Sequence, residues 1–195
     1  SGGLSVRSTN DGTIYGVEFS ADARIATGWD AGFSINYLHA TWDNYENSAL
    51  GTLTALTGTT ASDPVNVRLP KFDGNYFGKV PMWTGAFNTA YQAPLSGDWD
   101  WSVRSDISYT GGAWESDANI VKSDGFFRVN GSIGIQKDTM KIEVFAKNLF
   151  NDLSWEYAYR STDLAFLPLT SYSFQGLAVI PANKREVGIR TRFKF

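Results

Sequence analysis

The chain has 195 residues, of which 19% are charged and 15% aromatic (Trp 7, Tyr 9, Phe 13), with a formal net charge of −3. So mild a charge, with Lys and Arg scattered rather than in a block, excludes a basic nucleic-acid surface, and the absence of cysteine excludes disulfides, thiolate metal sites and a cysteine nucleophile. No apolar run reaches the length of about 18 residues that a transmembrane helix needs.

Mean hydropathy is −0.23, yet a membrane β-barrel gives such an average, because its apolar outward and polar inward residues cancel. The opening Ser1-Gly2-Gly3-Leu4 has neither the basic nor the apolar stretch of a signal peptide. An exported protein needs one, so it is expected upstream or already removed, and the chain reads as part of a longer one.

Period-2 alternation dominates from there on. Residues 2–9 read as the end of a strand. Tyr15, Val17, Phe19, Ala21, Ala23 and Ile25 alternate with Gly16, Glu18, Ser20, Asp22 and Arg24, and Phe33, Ile35 and Tyr37 alternate with Ser34 and Asn36. Trp83, Phe87 and Tyr91 share a parity. Trp99, Trp101, Val103, Ile107 and Tyr109 share another, opposite Asp100, Ser102, Arg104, Asp106 and Ser108. Phe127, Val129, Ile133 and Ile135 follow, then Ile142 and Val144, with Phe145 breaking the polar parity. Val187, Ile189, Phe193 and Phe195 close the chain. A helix would group apolar residues three and four apart; these are strands with one greasy and one wet face.

Short turns are predicted near Thr27–Asp30, Pro94–Asp98 and Gln136–Thr139, and long segments at 43–80, 110–125 and 151–182. Trp29, Trp99 and Trp101 lie beside the short turns; Tyr37, Trp42, Trp83 and Tyr109 lie near the long loops. Two aromatic girdles at the two membrane interfaces would give that distribution. The fold class is all-β: an antiparallel transmembrane β-barrel segment of seven to eight meander strands, with short periplasmic turns and long extracellular loops. A soluble β-sandwich with aromatics in its core is the competing reading.

Several motifs resemble the barrel of TonB-dependent outer-membrane receptors. Asn10-Asp11-Gly12 before Gly16-Val17-Glu18 is similar to a strand start of that family, and Val80-Pro81-Met82-Trp83-Thr84 to its loop-to-strand transition. Lys147-Asn148-Leu149-Phe150-Asn151 resembles the "NLF(D/N)" segment near the end of the penultimate strand, and Asn183-Lys184-Arg185-Glu186-Val187-Gly188 the entry to the last. Phe193 and Phe195 resemble the C-terminal signal read by the barrel-assembly machinery. The resemblance implies that residues 1–195 are the C-terminal part of a larger barrel, with the plug domain, the TonB box and the earlier strands outside them. It implies a receptor in the Gram-negative outer membrane that imports a scarce solute of siderophore, cobalamin or oligosaccharide type, coupled to the TonB complex through an N-terminal region outside the chain. Its other partner is outer-membrane lipid. A self-contained small eight-stranded barrel with a structural or adhesive role is the alternative, and a porin-type channel without a plug is another.

No enzyme is predicted, and no cofactor or metal. His39 is the single histidine, too little for a triad, and its parity suits a lipid-headgroup contact. Asp43, Asn44 and Glu46 offer oxygen ligands for calcium but lack the ordered loop motif, so solvated loop charge is the plainer reading. Arg24, Arg104, Asp106, Arg128, Glu143, Lys147, Arg190 and Arg192 are predicted to face the lumen, either as cross-strand ion pairs or as guides for a solute. Trp114, Glu115, Asp117, Trp155, Tyr157 and Tyr159 are the candidate ligand residues of the long loops, since aromatics with scattered polar groups suit stacking on a ligand. They suit packing against one another equally well.

Overall fold

The computed structural model describes residues 10–46, 71–162 and 175–194. Every regular element among them is a strand: β1 (Asp11–Ala26), β2 (Trp29–Asn44), β3 (Trp83–Ser96), β4 (Trp99–Thr110), β5 (Phe126–Lys137), β6 (Met140–Lys147), β7 (Trp155–Thr162), β8 (Gln175–Pro181) and β9 (Glu186–Phe193). Seven of them form one antiparallel sheet in the order β1-β2-β3-β4-β5-β6-β9, while β7 and β8 pair as a separate hairpin. The seven sheet members are the seven strands that alternation predicts. The hairpin falls inside the predicted loop at 151–182, because Leu177-Ala178-Val179-Ile180 runs unbroken and shows no period. The strand end predicted at 2–9 and the terminal Phe195 lie outside the described residues.

Register carries the apolar parity across the whole sheet. Phe19 faces Ile35, Phe33 faces Phe87, Phe87 faces Ile107 and Ile107 faces Val129. Nearer the short turns, Val103 faces Ile133, Ile133 faces Val144 and Val144 faces Ile189. A slip of one residue would turn every charge of a strand onto this face, so the register is strongly set. The face is open: Val17 is 71% and Ile189 72% exposed, and among the described residues no large side chain is fully buried. A soluble sandwich would bury this surface against a second sheet, and among the described residues the two-stranded β7–β8 pair leaves it exposed. The apolar face is built for hydrocarbon.

The turns at one end are tight. Gly28 (φ 76°), Gly97 (φ 57°), Asp98 (φ 64°) and Asp138 (φ 47°) take the left-handed conformation that two-residue hairpins require. Gly28 is also confined, because its carbonyl accepts from Gln92 N at 2.8 Å and a Cβ there would collide with the Gln92 carbonyl.

At the other end β1 and β2 overshoot. Each has 16 residues, about 50 Å at roughly 3.3 Å per residue, against an apolar band of about 25 Å. A small hydrophobic core forms here, where Ala40, Tyr45 and Phe72 are buried. The segment 71–77 returns along β2, with Phe77 N donating to Ala40 O, Trp42 N to Asn75 O and Phe72 N to Tyr45 O. Trp42 stacks on Tyr45 at 4.4 Å and meets Phe77 at 4.1 Å. Gly12 admits this packing, since a Cβ on it would stand 2.7 Å from the Phe77 ring.

Phe145, the residue that breaks parity, stands on the polar face opposite Gly188. A Cβ at Gly188 would lie 2.8 Å from the Phe145 ring, so the ring covers the bare backbone of the glycine. An aromatic laid over a strand glycine is a known way to hold the sheet there.

Candidate functional site

Two regions carry polar chemistry: the loop end of the sheet and its wet face. The loop end is anchored on Asn148, whose side chain is 7% exposed and whose φ of 47° suits Asn. Its Nδ2 donates to the carbonyls of Asp152 (2.9 Å) and Asn183 (2.8 Å), its Oδ1 accepts from Asp152 N, and its own N–H donates to Asn130 Oδ1. Asn151 Oδ1 accepts from Arg185 N at 2.9 Å. The Asn-Leu-Phe-Asn motif is thus a knot joining β5, the end of β6 and the approach to β9.

Arg128 closes the same knot from β5. Its parity is that of the wet face, but its guanidinium reaches past the wall to Asp152 (3.0 Å) and Glu156 (3.5 Å), with its side chain only 13% exposed. It also stacks on Phe126 at 4.3 Å. Arg128 therefore holds the base of the β7–β8 hairpin and does not line the wall's central concavity. Hydrogen bonds from the Ser154 hydroxyl and amide, with Arg128 beside them, hold the Asp152 carboxyl below the ordinary aspartate range.

The segment 111–125 clamps onto 71–79. Asn75 Nδ2 donates to Asp117 O, Gly78 N to Asp117 Oδ1, Tyr76 N to Asn119 Oδ1 and Lys79 N to Trp114 O. The Lys79 ammonium hydrogen-bonds the Tyr157 hydroxyl and sits 4.5 Å from the ring centroid. Between this clamp and β7 lies a cavity of about 120 Å³ whose walls include Trp114, Glu115, Trp155 and Tyr157, with Lys79 and Phe126. Four of the six predicted loop residues thus meet around one space. Asp117 does not; it is spent on the clamp. Tyr159 stands beside Tyr157 at 6.1 Å and is not part of the lining. Lys79 and Phe126 were not signalled in the sequence by any motif, since each reaches the cavity only through the fold.

On the wet face a concavity of about 550 Å³ spans β2 to β6 and β9. Arg104, Asp106, Glu143, Lys147, Arg190 and Arg192 all line it. Most are paired along or across strands: Arg104 with Asp106 at 2.6 Å, Lys147 with Glu186 at 3.1 Å and Arg190 with Glu143 at 2.7 Å. Arg24 pairs with Asp30 nearer the turn, at 3.0 Å.

The remaining candidates are drawn apart. His39 stacks on Tyr15 at 4.7 Å and meets the edge of Tyr76 at 5.4 Å. Asp43 accepts from Thr13 at 2.6 Å, while Glu46 pairs with Lys71 at 3.2 Å.

A meander sheet with one bare apolar face, a charged concave face and structured loops at one end defines a wall of an outer-membrane barrel. The chain belongs to the TonB dependent receptor-like, beta-barrel family, whose model matches residues 1–149. Proteins of that family sit in the Gram-negative outer membrane, and that is the location of this chain. The fold is similar to that of the ferric yersiniabactin uptake receptor FyuA of Yersinia pestis, with a TM-score of 0.68 and 19% identity over 95% of this chain. It is also similar to the siderophore receptor PiuA of Acinetobacter baumannii, with a TM-score of 0.67 and 12% identity over 95% of this chain. The chain spans only 24% and 22% of those two structures. No curated protein sequence matches it.

Proposed function

We propose that residues 1–195 are the C-terminal wall of a larger TonB-dependent transporter that captures a scarce solute at the loop end and imports it with TonB energy coupling. The observation that carries this reading is the pairing of a lipid face with a charged concave face on a sheet of this family. Strands β1 and β9 each have one neighbour among the described residues. Unpaired edge groups in hydrocarbon cost several kcal/mol each, so further strands beside them fit the reading better than an open sheet. The two similar structures are a ferric yersiniabactin uptake receptor and a siderophore receptor, which favours a metal chelate over cobalamin or an oligosaccharide. The cavity of about 120 Å³ at Trp114 and Trp155 is below the roughly 300 Å³ at which ligand pockets begin, so this wall supplies part of a capture surface.

The test is uptake. Cells with the gene deleted are compared with wild type for accumulation of labelled ferric chelates, cobalamin and oligosaccharides, with and without an energised inner membrane. Loss of energy-dependent accumulation of one class supports the proposal, and unchanged accumulation of all three sinks it. Immunoblotting of outer membranes settles the assignment of the wall: a band several times heavier than 21.5 kDa fits a large barrel, and one at that mass fits the small eight-stranded alternative.

A further inference from the structure

The charged face is not evenly compensated. Toward its short-turn end Lys141 of β6 and Arg192 of β9 stand directly opposite each other in register, an arrangement that destabilises a sheet unless something neutralises it. Two residues further up, Glu143 faces Arg190 and is shared between Arg190 at 2.7 Å and Lys141 at 3.1 Å. Lys141 and Arg190 therefore share the single carboxylate of Glu143, whose side chain is 12% exposed. Across from Lys141 on the other side is neutral Gln136. Arg192 has neither an ion pair nor a side-chain hydrogen bond among the described residues.

These cations cannot simply drift apart. Register on β6 and β9 is fixed by the apolar parity of Val144 and Ile189 on the opposite face. All four charged residues line the concavity of about 550 Å³, where Phe145 forms one wall with the Arg190 guanidinium 4.9 Å above its ring. Arg190 and Arg192 are exposed, and they open into this one hollow together with Lys141.

We propose that Lys141 and Arg192, flanked by Arg190, form an anion-binding site that takes a carboxylate or phosphate group. The Arg192 fork suits either group in a bidentate mode, and Lys141 completes it as a point charge. The anion is either part of a solute within the barrel or an acidic side chain of a polypeptide segment lying against this wall. The site goes beyond the transport reading and rests on the wall's geometry alone.

The test uses the whole receptor in detergent, with citrate as the probe in isothermal titration and thermal loss of the folded, heat-modifiable band as the stability readout. Arg192→Gln is compared with Arg192→Lys, which keeps the charge but not the fork and should fall between Arg192→Gln and the wild type. Citrate binding that weakens about tenfold in Arg192→Gln makes the source a solute, whichever way melting moves. No citrate binding together with a lower melting temperature in Arg192→Gln makes the source the protein's own side chain. No citrate binding with an unchanged or higher melting temperature overturns the site, since relief of an empty like-charge pair raises it. Citrate binding that ignores Arg192→Gln overturns it too. None of these outcomes depends on uptake, so failure of the transport reading would be seen separately.

Discussion

The Asn148 side chain donates through Nδ2 to the carbonyl of Asn183 at 2.8 Å across a separation of 35 residues, and so closes the excursion that contains the β7–β8 hairpin. The same amide satisfies Asp152 O and Asp152 N. A buried amide that serves several backbone groups leaves them unpaired when it is removed.

Asn148→Ala is therefore expected to destabilise the folded protein by about 1–3 kcal/mol, the cost of stranding buried polar groups. Asn148→Asp should recover only the part that Oδ1 supplies. The measurement is the temperature at which the heat-modifiable band is lost. Equal midpoints for wild type and Asn148→Ala would show that the knot contributes nothing.

Gly188 and Phe145 make a second, reciprocal case. Gly188→Ala forces the Phe145 ring off its seat, because the added Cβ would lie 2.8 Å from it, and a loss of about 1–3 kcal/mol is expected for such overpacking. In a Phe145→Ala background the same substitution should cost far less. A double-mutant cycle in the two positions measures this coupling, and additive effects would mean that the ring already moves freely.

Much of this architecture is legible in the sequence, for a physical reason. Lipid on one side and water on the other force strict alternation, so Trp99–Tyr109 could be read as a strand and its wet face assigned to Arg104 and Asp106. Phe145 looks like an error of pattern until Gly188, 43 residues later, is placed opposite it. Arg128 shows the limit of parity: the rule gives the direction of its Cβ, while the long side chain reaches Asp152 and Glu156 beyond the wall. The β7–β8 hairpin is hidden within a long loop segment because Leu177–Ile180 carries no period, and Lys79 joins the Trp114–Trp155 cavity only through tertiary contacts.

The Asp152–Arg128 contact gives a pH dependence. The Asp152 carboxyl is held below its ordinary value by Ser154 and Arg128, so its contribution is fully present above the ordinary aspartate value of about 3.9. It is lost as pH falls below that toward the lowered folded value. Fluorescence of Trp155, in a protein whose other tryptophans are replaced by Phe, should stay constant from neutral pH to about 4 and change below it. Asp152→Asn should show the altered signal already at neutral pH and no such transition. A transition of equal size in Asp152→Asn would assign it to another group.

Orientation is the remaining test, and it bears on where a solute first meets the wall. The chain contains no cysteine, so a single introduced thiol reports its own position. Asp124 lies exposed at the long-loop end just before β5, and Thr139 lies exposed in the turn between β5 and β6. In outer-membrane barrels the long loops face outward and the short turns the periplasm. On intact cells a membrane-impermeant maleimide should label Asp124→Cys at once and leave Thr139→Cys unlabelled until the outer membrane is broken. The reverse pattern would put the Trp114–Trp155 cavity in the periplasm. The anion site at Lys141 and Arg192 would then be near the cell surface, and solute capture would have to start there instead of at the loops.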